Sequence, residues 1–157
     1  MPTIELTTTI VAPIQVVFDL SRNVDAHLAS TKGTGEQAVG GVTSGLLELG
    51  DEVTWRAKHL GVWQELTSKI TKFDPPHFFQ DTMQRGAFQR LEHDHYFTET
   101  PDGTCLMRDV MVIEAPFGLL GRVAERLFLT EYMRGFLDRR NLALKQLAES
   151  GEFLPSR

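Results

Sequence analysis

From Glu36 to Ala115 apolar and polar residues alternate with a period of two, and the alternation is cut at short intervals by residues that cannot continue a strand. Gly61 permits a tight turn, Asp74-Pro75-Pro76 cannot sustain a ladder, Gly86 ends another run, and Pro101-Asp102-Gly103 is a strong hairpin signal. Strands are therefore expected near 36–40, 51–60, 62–73, 77–85, 88–99 and 104–115. Seven of the 13 glycines lie between Gly33 and Gly61, a density suited to turns and bulges between short strands. Their spacing matches neither GxGxxG nor GxxxxGK[ST], so no phosphate-cradling loop is expected.

The flanks differ. Ile4, Leu6 and Ile10 alternate with threonines in residues 3–11, another strand pattern that Ala12-Pro13 stops. Ile14, Val17 and Phe18 follow at helical spacing, and Asn23 is a suitable cap for a second short helix reaching about Thr31. After Pro116-Phe117-Gly118, Leu120, Val123, Leu127, Tyr132, Phe136, Leu144 and Leu147 form one apolar stripe of a helix over roughly 119–149. The stripe slips in phase across Thr130-Glu131, which predicts a bend or rotation there. The order is β-α-α, six more strands, then α, an α+β fold in which one long helix covers an antiparallel sheet.

Composition narrows the function classes. A chain of 157 residues is enough for one domain, 1–157, with a real core. No apolar run is long enough to span a membrane, and MPTIELTTTI lacks the layout of a secretory signal, so a cytoplasmic protein with no stable membrane insertion is expected. A formal charge of −5 and the lack of a basic stripe disfavour nucleic acid. Cys105 is the single cysteine, which excludes an intrachain disulfide and a cysteine-rich zinc site.

Strand parity assigns faces. Val53, Trp55, Ala57 and His59 share one, as do Leu66, Ser68 and Ile70, and Phe79, Asp81 and Met83. Leu91, His93, His95 and Phe97 share another, and Met107, Asp109, Met111 and Ile113 the last. With Leu127 and Phe136 from the helix, these faces compose an apolar wall bearing His59, Asp81, His93, His95 and Asp109, the usual make-up of a small-molecule pocket.

His93 and His95, two apart on a strand, point the same way with their Cα atoms roughly 6.5–7 Å apart. They are open to three readings: structural histidines bonded to Asp109, Asp81 or backbone; groups that recognise a ligand or move protons near neutral pH; or two ligands of a metal, with Asp109 or His59 as a third. No helical His pair or Cys pair supports the last, so neither metal nor cofactor is assigned. His27 reads as a structural histidine, Glu36 as a solvated strand-end charge, and Arg139 and Arg140 as surface charge. Trp55 reads as cavity wall or core, and Trp63, of opposite parity, as packing on the convex side.

The stretch Ile10-Val11-Ala12-Pro13-Ile14-Gln15-Val16-Val17-Phe18-Asp19-Leu20 resembles the strand-to-helix opening of the START-like, Bet v 1-like superfamily. Gly45-Leu46-Leu47-Glu48-Leu49-Gly50-Asp51-Glu52-Val53-Thr54-Trp55, His93-Asp94-His95-Tyr96-Phe97 and Arg139-Arg140-Asn141 are similar to a bacterial branch labelled polyketide cyclase/dehydrase or cell-division protein. The resemblance covers nearly the whole chain. It implies a helix-grip fold, a seven-stranded antiparallel sheet curved around the C-terminal helix with a ligand cavity between them. The function expected is binding of a small hydrophobic or amphipathic molecule, such as a lipid, polyketide, isoprenoid or aromatic compound. The alternative is a cyclase/dehydrase-like enzyme using His93, His95 and Asp109 as acid–base groups.

Overall fold

The computed structural model describes residues 2–124 and 128–151. β1 (Thr3–Ile10) leads into α1 (Ile14–Ser21) and α2 (Val24–Ser30). Then come β2 (Gln37–Gly41), β3 (Glu52–His59), β4 (Val62–Asp74), β5 (Phe78–Arg85), β6 (Arg90–Glu99) and β7 (Cys105–Glu114). α3 (Gly118–Ala124) and α4 (Thr130–Ser150) follow β7 among the described residues. The seven strands form one antiparallel sheet in the order β1-β7-β6-β5-β4-β3-β2, so β2 to β7 meander and β1 adds beside β7. All the strands and both early helices lie where the alternation and its breaks place them.

The turns follow from their residues. His59 pairs with Val62 across a two-residue loop in which Leu60 and Gly61 both adopt positive φ, 52° and 79°. At Pro101-Asp102-Gly103 the turn closes with Gly103 N donating to Thr100 O and Thr100 N to Thr104 O. Asn23 caps α2 by accepting from Ala26 N at 3.0 Å. Bulges between Thr67 and Ser68 and between Ile70 and Lys72 bend β4, and a third lies between Ala38 and Gly40 in β2. At Gly41 an added Cβ would stand 2.1 Å from the Glu52 carbonyl oxygen, so the β2–β3 pairing requires a glycine there.

The helix expected over 119–149 is described on either side of residues 125–127, as α3 and α4, and α4 begins at Thr130, where the apolar stripe changes phase. From there Met133, Leu137, Arg140, Asn141, Leu144 and Ala148 are buried at steps of three and four. Two apolar clusters hold the layers together. In one, Phe18 of α1 meets Phe73, Phe79 and Phe97 at ring distances of 5.7, 5.6 and 5.3 Å. In the other, Ile4, Leu91, Met111 and Ile113 of the sheet pack with Met133 and Leu137 of α4. Trp63 is half-exposed with the Arg56 guanidinium 4.3 Å from its ring centroid, in line with its outward parity. Among the described residues, no helix is long and apolar enough to cross a membrane.

Candidate functional site

A cavity of about 360 Å³ lies between the concave sheet and α4. Of the residues singled out in the sequence, Trp55, His59, Leu66, Ile70, Phe79, Leu91, His93, His95, Met111 and Phe136 line it. Phe97 and Met107 do not: both face inward but are sealed beneath α1, where Phe97 meets the Phe18 ring and Met107 Sδ accepts from Ser21 Oγ. Asp109 also stands behind the wall, with no exposed surface. Leu127 lies outside the described residues.

Two clusters of polar groups stand on the wall on either side of β4, which itself adds Gln64, Glu65 and Ser68 to the lining. The first is built from β5, β6, β7 and α4. His93 Nε2 and Asp109 Oδ1 are 2.7 Å apart, and His95 Nε2 and Asp81 Oδ2 are also 2.7 Å apart. From α4, Arg140 Nη1 donates to Asp109 Oδ1 at 3.3 Å and Asn141 Nδ2 donates to Asp109 Oδ2 at 2.7 Å. The surface assignment of Arg140 is thus corrected: its side chain is buried and lines the cavity, while Arg139 is exposed. The reason is electrostatic, since a fully buried Asp109 needs a cation and donors, and Arg140 and Asn141 bring both from one helical turn. The signal was present: Arg140 lies four residues after Phe136 and four before Leu144, on the apolar stripe itself.

This network drives the two histidines apart. Burial lowers the His93 pKa, and the neighbouring His95 lowers it further, against the pull of Asp109. Burial works on His95 too, but the carboxylates of Asp109 and Asp81 outweigh it and raise the His95 pKa. Burial would raise the Asp109 carboxyl, yet His93, His95 and Arg140 hold it well below 3.8. Asp81 is likewise held low, through its bond to His95. Asp81 and Asp109 face Arg140 and the two histidines, and the opposed shifts make His95 rather than His93 the readier carrier of a second positive charge.

Asp81, His93 and His95 each offer one ligand atom within 4.8 Å of the others. That grouping could hold a metal ion. The His93 and His95 rings stack at 3.8 Å with planes 29° apart. Each Nε2 already faces a carboxylate, so an ion bound through Nε2 would compete with those contacts.

The second cluster comprises residues of α2, β3, α4 and the segment before β2. His27 Nε2 and Glu36 Oε1 are 2.9 Å apart, and the His27 ring lies 4.2 Å from that of Trp55. His59 Nδ1 and the Tyr132 hydroxyl are 2.7 Å apart, tying the end of β3 to the first turn of α4. Glu36 is not the solvated charge its position suggests: its side chain is only 8% exposed and lines the cavity with His27. Burial would raise its pKa, but His27 and, more weakly, His59 hold it below 4.5. Burial pushes the His59 pKa down, opposed by Glu36. Sequence reasoning missed this cluster because its members are joined by folding alone, with no motif linking Glu36 to Tyr132.

A family model described as "Polyketide cyclase / dehydrase and lipid transport" matches residues 1–149. A search of curated proteins returns no match. Solved structures match across almost the full chain. A protein from Thermus thermophilus, 14% identical, has a TM-score of 0.78 over 97% of this chain and 100% of its own. A START superfamily protein from Mycobacterium smegmatis, 11% identical, scores 0.73 over 94% of this chain and 97% of its own. Major latex-like protein 151 of Panax ginseng, 13% identical, scores 0.70 over 94% and 97%. At such identities the likeness is one of fold, and it matches the helix-grip architecture described above.

Proposed function

Because the chain belongs to the polyketide cyclase/dehydrase and lipid-transport family, we propose that it binds a small hydrophobic or amphipathic molecule in the cavity between sheet and α4. One observation carries this reading: an apolar wall of Leu66, Ile70, Phe79, Leu91, Met111 and Phe136 lines the space, with two polar clusters set into it. Burial of apolar ligand surface supplies affinity, about 2.5 kcal/mol per 100 Å² at roughly 25 cal/mol per Å², before association costs. The polar clusters orient the ligand.

The test is titration with the neutral apolar fluorophore N-phenyl-1-naphthylamine. Saturable one-to-one binding is expected, weakened at least tenfold by Leu66→Trp or Met111→Trp, which fill the space. Absence of binding by the folded protein would overturn the reading.

A second reading, acid–base catalysis at the same wall, is favoured by the opposed shifts of His93 and His95. Neighbouring groups pushed apart in pKa can divide the roles, a neutral His93 taking a proton and a protonated His95 returning one. A ligand carbonyl beside them could be enolised without net change in charge at the site. Turnover abolished by His93→Gln or His95→Gln, with probe binding retained, would distinguish this reading from simple binding.

A further inference from the structure

Among the described residues, each cluster leaves one buried polar atom without a hydrogen-bond partner, His95 Nδ1 in the first and Glu36 Oε2 in the second. Glu36 Oε1 is engaged by His27, whereas Glu36 Oε2 is buried with no hydrogen-bond partner. Two nearby groups are engaged elsewhere. The Thr31 hydroxyl, close enough to lower the Glu36 pKa slightly, donates its proton to the His27 carbonyl oxygen at 2.8 Å. His59 Nδ1 is held by the Tyr132 hydroxyl. A buried carboxylate oxygen without a donor is costly, and the cost is relieved by any donor that reaches it. Glu36 lines the cavity, so a bound molecule can supply that donor.

Resting on the binding reading above, we propose that Glu36 is the specificity residue of this cavity, its Oε2 accepting a hydrogen bond from a hydroxyl or protonated amine on an otherwise apolar ligand. The class selected is therefore an alcohol, phenol or amine with a hydrocarbon body. A ligand presenting only a carbonyl or ether oxygen leaves Oε2 unmet, and a carboxylate directed there meets like charge. Trp55 supports the choice. Its ring lines the same stretch of wall beside His27, providing an aromatic surface for a ligand whose polar end reaches Glu36.

The test uses four probes of one shape: naphthalene, 2-naphthol, 2-methoxynaphthalene and 2-naphthoate, titrated calorimetrically at pH 7. A hydrogen bond to a charged acceptor predicts that 2-naphthol binds about tenfold or more tighter than 2-methoxynaphthalene. Binding of 2-naphthoate is expected to be the weakest. In Glu36→Gln the amide oxygen can keep the His27 contact while the amide nitrogen faces the cavity. The preference should then shrink or invert towards 2-methoxynaphthalene, with naphthalene binding unchanged. Equal binding of 2-naphthol and 2-methoxynaphthalene to the natural protein would overturn the proposal, as would a preference that survives in Glu36→Gln. The natural-protein comparison decides the matter even if the variant folds poorly. Failure of all four probes to bind would remove the cavity reading itself, an outcome distinct from loss of selectivity alone.

Discussion

Replacing Asp109 by leucine tests whether β7 and α4 are fastened by a buried ion pair. Asp109 is fully buried and Arg140 is 4% exposed, so neither charge has water to fall back on. The Asp109→Leu change removes the carboxylate that receives Arg140 at 3.3 Å, Asn141 at 2.7 Å and His93 at 2.7 Å. Arg140 is then left with the Asn141 side-chain oxygen at 2.9 Å. Removing one partner of a buried pair costs about 3–5 kcal/mol. At about 2–4 °C per kcal/mol for a domain of this size, Tm should fall by roughly 6–20 °C. Adding Arg140→Met removes the stranded cation, and the double variant should regain about 2 kcal/mol over Asp109→Leu, leaving the unmet donors of His93 and Asn141 as the residue of the loss. Urea unfolding followed by circular dichroism measures both. Because the Asp109 pKa is depressed in the folded state, its contribution is present above 3.8 and is lost as pH falls through the lowered value. The gap between natural protein and Asp109→Leu should therefore narrow in acid. A loss under about 1 kcal/mol, a double variant less stable than Asp109→Leu, or a gap that persists in acid would refute the ion-pair account.

Other expectations follow from single contacts. Phe18→Ala empties the centre of the ring cluster with Phe73, Phe79 and Phe97 and should cost about 3–5 kcal/mol in urea unfolding. Gly41→Ala sets a Cβ against the Glu52 carbonyl at a φ of 68°, and a loss of about 1–3 kcal/mol or more is expected, against no change if β2 can shift. The Cys105 thiol is buried and its pKa is pushed up to about 11, so Ellman's reagent at pH 8 should leave it unmodified until denaturant is added. The histidines should titrate on either side of 6.5, His95 above and His93 below, as read from their NMR shifts. The His95 contribution to stability is then complete below 6.5 and lost as pH rises through its raised pKa, whereas that of His93 is complete above 6.5 and lost on acidification.

Most of the sheet was legible because its determinants are local. The Leu60-Gly61 and Pro101-Asp102-Gly103 turns and the Asn23 cap act within a few residues, and period-two parity carries each inward face from one side chain to the next. The same parity placed Trp55, His59, Leu66 and Ile70 on the wall. It could not say which inward residues would meet the void, because that depends on where α1 and α4 press down. Phe97 and Met107 were lost to the core for this reason. Arg140 and Glu36 were misjudged because charge suggests solvent until a distant partner is known. Their partners, Asp109 and His27, lie on other elements, and only the fold brings them together.

The stack of Phe79, His95 and His93 has a spectroscopic consequence. Successive ring centroids stand 4.1 and 3.8 Å apart, close enough for each ring's magnetic anisotropy to shield protons on the next. Of the five histidines, only His93 and His95 belong to this column. Their ring resonances should stand displaced, as should those of His27, whose ring lies 4.2 Å from that of Trp55, giving the cavity wall its own unlabelled proton signature. A molecule that settles against the column will alter the shielding before it alters the fold, while one bound elsewhere will leave those lines still. The wall is thus its own reporter of where a ligand comes to rest.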